Sequence, residues 1–374
     1  MRLRGCESAA AARHHARWNP EAASSTCTSE SPGNWLPGSA ATPGGGCYPD
    51  YRMKIAVVIP CYRVGERVLE VIASVGPECS AIYVVDDACP DGSGDLVKNR
   101  CDDPRVSVLR LDANQGVGGA SLAGYEAAMA DGADIIVKLD GDGQMDPRLV
   151  PSLIQPLLDG EADYAKGNRF FDLRGLRAMP WLRLVGNSLL SFASKLSTGY
   201  WNLFDPTNGF TAIHTAIARE LPLDRISRRW FFESDMLFHL GTLRAVVTDV
   251  PMPAVYGDET STLQVRTVVG EFLWKHASNT VKRIFYSYFL RNFNIASVEG
   301  VLGLAFMAFG TWMGVSYWTH GIEVGVPTTS GGVMIAGLPV IIGVQLLLAF
   351  LSYDLQNIPR EVLHPRLLRR PRQS

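Results

Sequence analysis

The chain has 374 residues, with 35 Lys and Arg against 37 Asp and Glu and a formal net charge of -2. That length allows two modest domains, or one large domain with appendages, and the near-neutral balance supplies no global attraction to nucleic acid. With 47% hydrophobic and only 19% charged residues, and the apolar excess late in the chain, a membrane segment is the first expectation. The seven cysteines, from Cys6 to Cys101, lie in the first third without CxxC pairs. That distribution reads as free thiols in a reducing compartment rather than a disulfide framework or zinc site.

Residues 1–52 are rich in Ala, Ser, Gly, Pro and Thr and show no periodicity, which predicts a disordered or non-native extension. Met53 leads directly into an apolar run and reads as the native start. From there Ile55–Ile59, Ala81–Val85, Val106–Leu111 and Ile135–Leu139 read as strands. Glu66–Val75 and Gly118–Ala130 read as helices between them. Strands apolar on both faces, alternating with helices, predict a parallel sheet covered on both sides, with ligands at the carboxyl ends of the strands. Polar residues collect at those ends: Asp86-Asp87 after the second strand and Asp140-Gly141-Asp142 after the fourth. Glycines 116, 118, 119 and 124 follow the third strand in the wrong order for a dinucleotide fingerprint, and no Walker A sequence is present. The pattern is that of an α/β nucleotide-binding type of domain, expected over 53–265.

Beyond it, Thr267–Asn292 interleaves Phe272, Trp274, Phe285, Tyr286 and Phe289 with Lys275, Lys282, Arg283 and Arg291, a pattern suited to interfacial helices over 266–297. Gly300–Trp318 and Val333–Tyr353 are uncharged stretches of 19 and 21 residues, each long enough to cross a hydrocarbon core of about 30 Å. They predict a transmembrane hairpin over 298–358. The linker His320–Gly332 carries no Lys or Arg, whereas Arg360, Arg366, Arg369, Arg370 and Arg372 follow the second span. The positive-inside rule then puts the catalytic domain and a basic 359–374 tail in the cytoplasm, at a cell (inner) membrane. Gly300, Gly303 and Gly310 would permit close helix approach, including a homo-oligomer contact.

Two carboxylates one residue apart at a strand end suit Mg²⁺ or Mn²⁺ bridging the phosphates of a nucleotide diphosphate. Val57-Val58-Ile59-Pro60-Cys61-Tyr62, then Val85-Asp86-Asp87, then Asp140-Gly141-Asp142-Gly143-Gln144 resemble the inverting family-2 glycosyltransferases. Gly167-Asn168-Arg169-Phe170, Asp205-Pro-Thr-Asn-Gly209-Phe210 and Phe232-Glu233-Ser-Asp235 extend the likeness in the same order, over roughly residues 53–262. Within that family the chain most resembles the dolichol- and polyprenyl-phosphate mannosyl- and glucosyltransferases, which implies a GT-A (Rossmann-like) α/β fold. The resemblance implies that Pro60, Tyr62, Val85 and Asp87 line a nucleoside pocket, with Asp140, Gly141 and Gln144 along the ribose and diphosphate. It further implies that Asp142, with Asp140, holds the metal, and that Arg169 approaches a phosphate.

The pattern departs at Val64, where the family has a glutamate, with Glu66 two residues on. It departs again over Pro253–Thr262, which lacks the family's late Arg and Lys, leaving Arg266 as the nearest replacement. Asp205, Glu233 and Asp235 are acceptor-positioning candidates. A lipid phosphate, already anionic at pH 7, needs no general base, whereas a sugar hydroxyl would need one, and Asp235 is then the candidate. Three expectations follow: hexose transfer from a nucleotide-diphosphate sugar to a polyprenyl phosphate, transfer to a hydroxyl of a lipid-linked glycan, or a non-catalytic membrane-anchored scaffold. Arg228-Arg229-Trp230 precedes the acidic pair instead of following it, unlike the arginine–tryptophan motif of processive polysaccharide synthases. His214, His239 and His276 read as ordinary helix-face residues.

Overall fold

A computed structural model of the chain describes residues 53–171, 181–253 and 265–369, with side chains from 185 and from 270 in the last two segments. The 1–52 extension, Ala254–Thr262 and the Arg266 side chain lie outside the described residues. Seven strands form one sheet: β1 Ile55–Cys61, β2 Cys79–Asp86, β3 Val106–Arg110, β4 Ile135–Lys138, β5 Tyr164–Asn168, β6 Thr211–His214 and β7 Val247–Pro251, in the order β3-β2-β1-β4-β6-β5-β7. Between them run α1 Arg67–Ala73, α2 Ser93–Arg100, α3 Gly116–Ala130, α4 Val150–Leu158, α5 Trp181–Thr198, α6 Thr215–Ala218 and α7 Phe232–Leu243. This is the mixed α/β sheet of the GT-A type.

Alternate residues of β1 feed different cores. Ile55, Val57 and Ile59 pack with α1 and α4, while Ala56 and Val58 pack beneath α3 and α7. Each buried aliphatic side chain contributes about 1.5–3 kcal/mol, so both faces favour this register. Gly124 is required by that packing, because a Cβ there would lie 2.3 Å from Val58 Cγ1.

The sheet is not wholly parallel. β6 runs antiparallel to both β4 and β5, with Lys138 opposite Thr211 and Lys166 also opposite Thr211. The reversal matters for function, since the segment leading into β6 arrives at the carboxyl ends of β4 and β5. His214 is correspondingly a strand residue, not a helix-face one.

After β7 come α8 Val265–Phe285 and a π-helical turn, Tyr286–Arg291. Two long apolar helices follow, α9 Ile295–Val324 and α10 Ser330–Gln356, each holding an 18-residue stretch of high mean hydropathy, 1.5 and 2.4. The face that α8 turns to the catalytic domain is polar. His276 Nδ1 lies 2.8 Å from Ser197 Oγ, Asn279 Nδ2 donates to Asp235 Oδ1 at 3.0 Å, and Arg283 Nε donates to Leu196 O at 2.9 Å. Trp274, Val281 and Phe285 are left exposed on the other side. The glycine stripe is used inside the hairpin: a Cβ on Gly303 would meet Leu347 Cγ at 2.9 Å, and one on Gly310 would meet Ala336 O at 2.7 Å.

The segment after α10 returns to the catalytic domain as α11, His364–Leu368. Buried Asp163 accepts from Leu363 N, His364 N and His364 Nδ1, each at 2.9 Å. Burial alone would raise the Asp163 carboxyl, but these donors and Val246 N hold it below the usual range. His364 stacks on His214 with ring centroids 3.8 Å apart. Burial and the neighbouring His364 push the His214 imidazole down to about 4, so it packs as a neutral ring.

Candidate active site

The carboxyl ends of β1, β2 and β4 form the floor of the site. Two of its loops hold non-glycine residues in the left-handed region, Arg63 after β1 (φ 57°) and Ala88 after β2 (φ 51°), a conformation that costs of the order of 1 kcal/mol or more. Gly141 permits the close approach of β4's exit to β1, because a Cβ there would press on Cys61 Sγ at 3.1 Å and Ile59 Cγ2 at 3.3 Å. Gly143 then turns with φ 76°, and Asp142 Oδ1 accepts from Gln144 N at 2.9 Å.

Asp140 is not alone. Lys138, fully buried at the end of β4, donates to Asp140 Oδ1 at 2.8 Å and to Glu233 Oε1 at 3.1 Å. Burial by itself would lower the Lys138 ammonium, but these two carboxylates outweigh it and hold the pKa above its ordinary value. The turn before β6 completes this knot, since a Cβ on Gly209 would meet Lys138 Nζ at 2.5 Å and Asp140 Oδ2 at 2.8 Å. A single buried cation thus fixes the orientation of Asp140 and links it to α7.

A second buried lysine stands on β5. Lys166 donates to Asn208 O, and desolvation lowers it from 10.5 to about 8 despite nearby Asp205, Glu233 and Asp249. The folded chain therefore binds fewer protons than the unfolded chain between pH 8 and 10.5. The contribution of this group to stability rises with pH across that window, by up to about 3 kcal/mol, and is constant below it. The melting temperature of the wild type is expected to gain on that of Lys166→Met from pH 8 to pH 10 in detergent micelles. Parallel curves would exclude the assignment.

The other expected residues divide into those that reach the open site and those that build it. Tyr62 is 43% exposed, with the Arg63 guanidinium 5.4 Å from its ring centroid. Pro60 and Val85 are paired in register and buried, and the Val85 side chain sits in the core beneath α3, so only its backbone can border a ligand. Asp87 accepts from Gln115 N at 2.7 Å and Gly116 N at 2.8 Å, which ties its carboxylate to the start of α3. Asp86 does the same for the β2–α2 turn, accepting from Cys89 N and Gly94 N at 2.8 and 3.0 Å. Arg169 forks onto Asp205, Nε to Oδ2 at 2.8 Å and Nη2 to Oδ1 at 3.0 Å, so Asp205 orients Arg169. Glu66 pairs with Arg100 at 2.6 Å on the surface.

Asp235 is brought elsewhere. Its Oδ2 accepts from Ser227 N at 2.8 Å and its Oδ1 from Asn279, so it holds α7 to α8 while Glu233 faces the acidic pair. Residues two apart on a helix point about 200° apart, so these two carboxylates cannot share one site. Arg228, Arg229 and Trp230 are exposed beside the start of α3, where Arg228 Nη1 donates to Gln115 Oε1 at 2.8 Å. Lys138 and Lys166 were not among the sequence candidates. The signal for Lys138 was a charge inside an otherwise apolar strand, which is buried only when paired, whereas Lys166, in a strand that also carries Asn168, gave none.

Among the described residues no three His, Cys, Asp or Glu side chains gather into a metal cluster. The donor set does fit an ion of the Mg²⁺ type, which takes one or two carboxylates and keeps its remaining positions for water and substrate phosphates.

The family model for glycosyl transferase family 2 matches residues 56–221. The undecaprenyl-phosphate mannosyltransferase of Micrococcus luteus is 31% identical over 227 residues, covering 59% of this chain and 90% of that protein. The polyprenol monophosphomannose synthase of Mycolicibacterium smegmatis is 29% identical, over 52% of this chain and 75% of its own. A UDP-N-acetylglucosamine–dolichyl-phosphate N-acetylglucosaminyltransferase of Methanococcus voltae is 26% identical, over 58% and 91%. With its acidic pair at the end of β4 and a matched segment running from β1 to α6, the chain belongs to the family 2 glycosyltransferases.

Proposed function

We infer that this glycosyltransferase is membrane-anchored and inverting, and that it moves a hexose from a nucleotide-diphosphate sugar to a polyprenyl phosphate at the cytoplasmic face of the membrane. The observation that carries the reading is the coupling through α7. Glu233 at its start accepts from Lys138, which also donates to Asp140, while Asp235 two residues on is bound to Asn279 of α8. The helix leading to the apolar hairpin is therefore fastened to the helix that closes the site, which suits an acceptor phosphate held at a lipid surface. Relatives named for undecaprenyl, polyprenol and dolichyl phosphates support the same acceptor class.

The donor's nucleoside would lie over Tyr62 between the β1 and β2 exits, in loops that Asp86 and Asp87 hold rigid through their backbone amide contacts. Asp142, with Asp140, would hold Mg²⁺ or Mn²⁺. When bound, the ion neutralises charge on the diphosphate. Arg169, oriented by Asp205, presents a fork suited to a phosphate group. An acceptor phosphate oxygen attacks the anomeric carbon from the face opposite the diphosphate. The new C–O bond forms as the old one breaks, the electron pair leaves on the diphosphate oxygen, and the anomeric configuration inverts. A lipid phosphate has lost its proton by pH 7 because its second pKa is about 6. No general base is then needed, which agrees with Asp235 being occupied by Ser227 and Asn279.

The test uses membranes containing the full chain, Mg²⁺ or Mn²⁺, undecaprenyl phosphate and a panel of radiolabelled nucleotide sugars. Label is expected in an organic-extractable, mild-acid-labile product that depends on added lipid phosphate and disappears in Asp142→Ala. Wild-type transfer by Asp142→Ala would end the metal assignment, and lipid-independent labelling would end the acceptor assignment.

A further inference from the structure

A polar cavity of about 360 Å³ lies where the chain enters α9 and leaves α10, lined by Gly199, Arg244, Arg283, Ser287, Arg291 and Asn357 among others. It is separate from the acidic site, for Arg244 caps the far end of α7, twelve residues from Phe232 and so roughly 18 Å along the axis. Three guanidinium groups face it against one carboxylate. Arg283 is neutralised by Asp354, at 2.7 and 2.9 Å. The other two have only neutral partners: Arg244 Nη1 donates to Asn357 Oδ1 at 3.0 Å and Arg291 Nη1 to Thr242 O at 2.8 Å. The formal excess is +2. The carboxyl ends of α5, α7, the π-helical turn and α10 all border the cavity and offset part of this excess, so that what it favours is a small anion of low charge.

The backbone adds an independent sign. Arg244 occupies the left-handed cap of α7 with φ 65°, a position where glycine is the usual residue because a Cβ is penalised. A bulky cation kept at a strained cap is a reason to look for a role for its side chain. Gly199 across the cavity has φ 80°, and a Cβ there would crowd Arg283 Nη1 at 3.0 Å, so the opposite wall keeps clear of the guanidinium groups.

We propose that this cavity binds a singly charged phosphate group at the membrane surface, the chemistry of an anionic phospholipid headgroup or of a free phosphate anion. Arg244 and Arg291 bind it, and Arg283 forms the back wall. The hairpin's near ends border the cavity, Asn292 just before α9 and Asp354 at the end of α10, so a headgroup can enter without leaving the bilayer surface. Bound there, the phosphate bridges α7 of the catalytic domain to the π-helical turn before α9.

The full chain in mixed micelles would be compared with and without dioleoylphosphatidylglycerol, with dioleoylphosphatidylcholine as the neutral control, and separately with millimolar inorganic phosphate. Phosphatidylglycerol is expected to raise the melting temperature by several degrees and to be retained at least five-fold better by wild type than by R244G/R291Q. The glycine at 244 removes the backbone strain, so loss of lipid there is not loss of folding. Ser287→Phe, which fills the cavity and keeps every arginine, is expected to give the same loss. A shift with phosphate alone assigns the site to a free anion. No shift with either probe, or an equal shift in both variants, overturns the proposal.

Discussion

Replacing Lys138 by Met is expected to lower sugar transfer by about 100-fold and thermal stability by roughly 3–5 kcal/mol, the cost of removing one partner from a buried ion pair. Lys138 is completely buried and serves two carboxylates, Asp140 at 2.8 Å and Glu233 at 3.1 Å. Without it those like charges face each other across the space the ammonium filled. One must take up a proton or swing away, and either response moves Asp140 from the donor's phosphates. A displacement near 1 Å at a reacting centre is enough for the expected loss. Lys138 acts through Asp140 and is a positioning residue, so a second variant separates the two effects. K138M/E233Q removes the repulsion, and it should recover most of the stability and shift the pH–rate profile back toward wild type. Melting curves and transfer rates over pH 6–8 check this. A K138M protein with wild-type transfer would show that Asp140 needs no such support.

The first four strands and both apolar helices were legible because each is a predominantly apolar run, those of the strands interrupted only by Ser107 and Arg110 in the third and Lys138 in the fourth. Gly300–Trp318 and Val333–Tyr353 fall inside α9 and α10, which extend beyond them by capped turns at Asn294 and Thr329. Asp and Gly are common in any turn, and the acidic pair was legible because it follows an apolar strand and is matched by Asp86-Asp87 at the end of an earlier one. The direction of β6 was not legible. Its four residues, Thr211–His214, are buried on both faces, and periodicity carries no sign of direction. The partners of the buried lysines were also hidden, since Glu233 is 95 residues from Lys138 and Asn208 is 42 from Lys166. Asp235 is instructive in a different way: helix geometry alone separates it from Glu233 by more than half a turn. Only one of the two could face Asp140, but choosing between them required knowing where α8 packs.

Asp354→Ala is expected to lower stability by about 3–5 kcal/mol, on the order of 10 °C for a domain of this size, and to uncouple the catalytic domain from the hairpin. Asp354 lies near the end of α10 and is buried, with Arg283 of α8 on both oxygens, Tyr288 Oη at 2.6 Å and Trp201 Nε1 at 2.9 Å. One carboxylate therefore joins an apolar helix, the π-helical turn, α8 and the segment after α5. Alanine leaves a buried guanidinium without its counter-charge and two further donors without an acceptor, and burying such groups is costly. Asp354→Asn keeps a neutral acceptor and should fall between alanine and wild type. Arg283→Met combined with Asp354→Leu removes both charges together and should regain much of the loss, as apolar replacements of buried pairs often do. The consequence for catalysis is specific: donor binding at the far end of α7 should survive, while transfer to a membrane-held phosphate should fall because the site is no longer held to the bilayer surface. Melting curves, protease cleavage between the catalytic domain and the hairpin, and transfer measured beside donor binding distinguish this from general unfolding. A variant with an unchanged melting point and full transfer would mean that the hairpin merely tethers the enzyme and does not orient it.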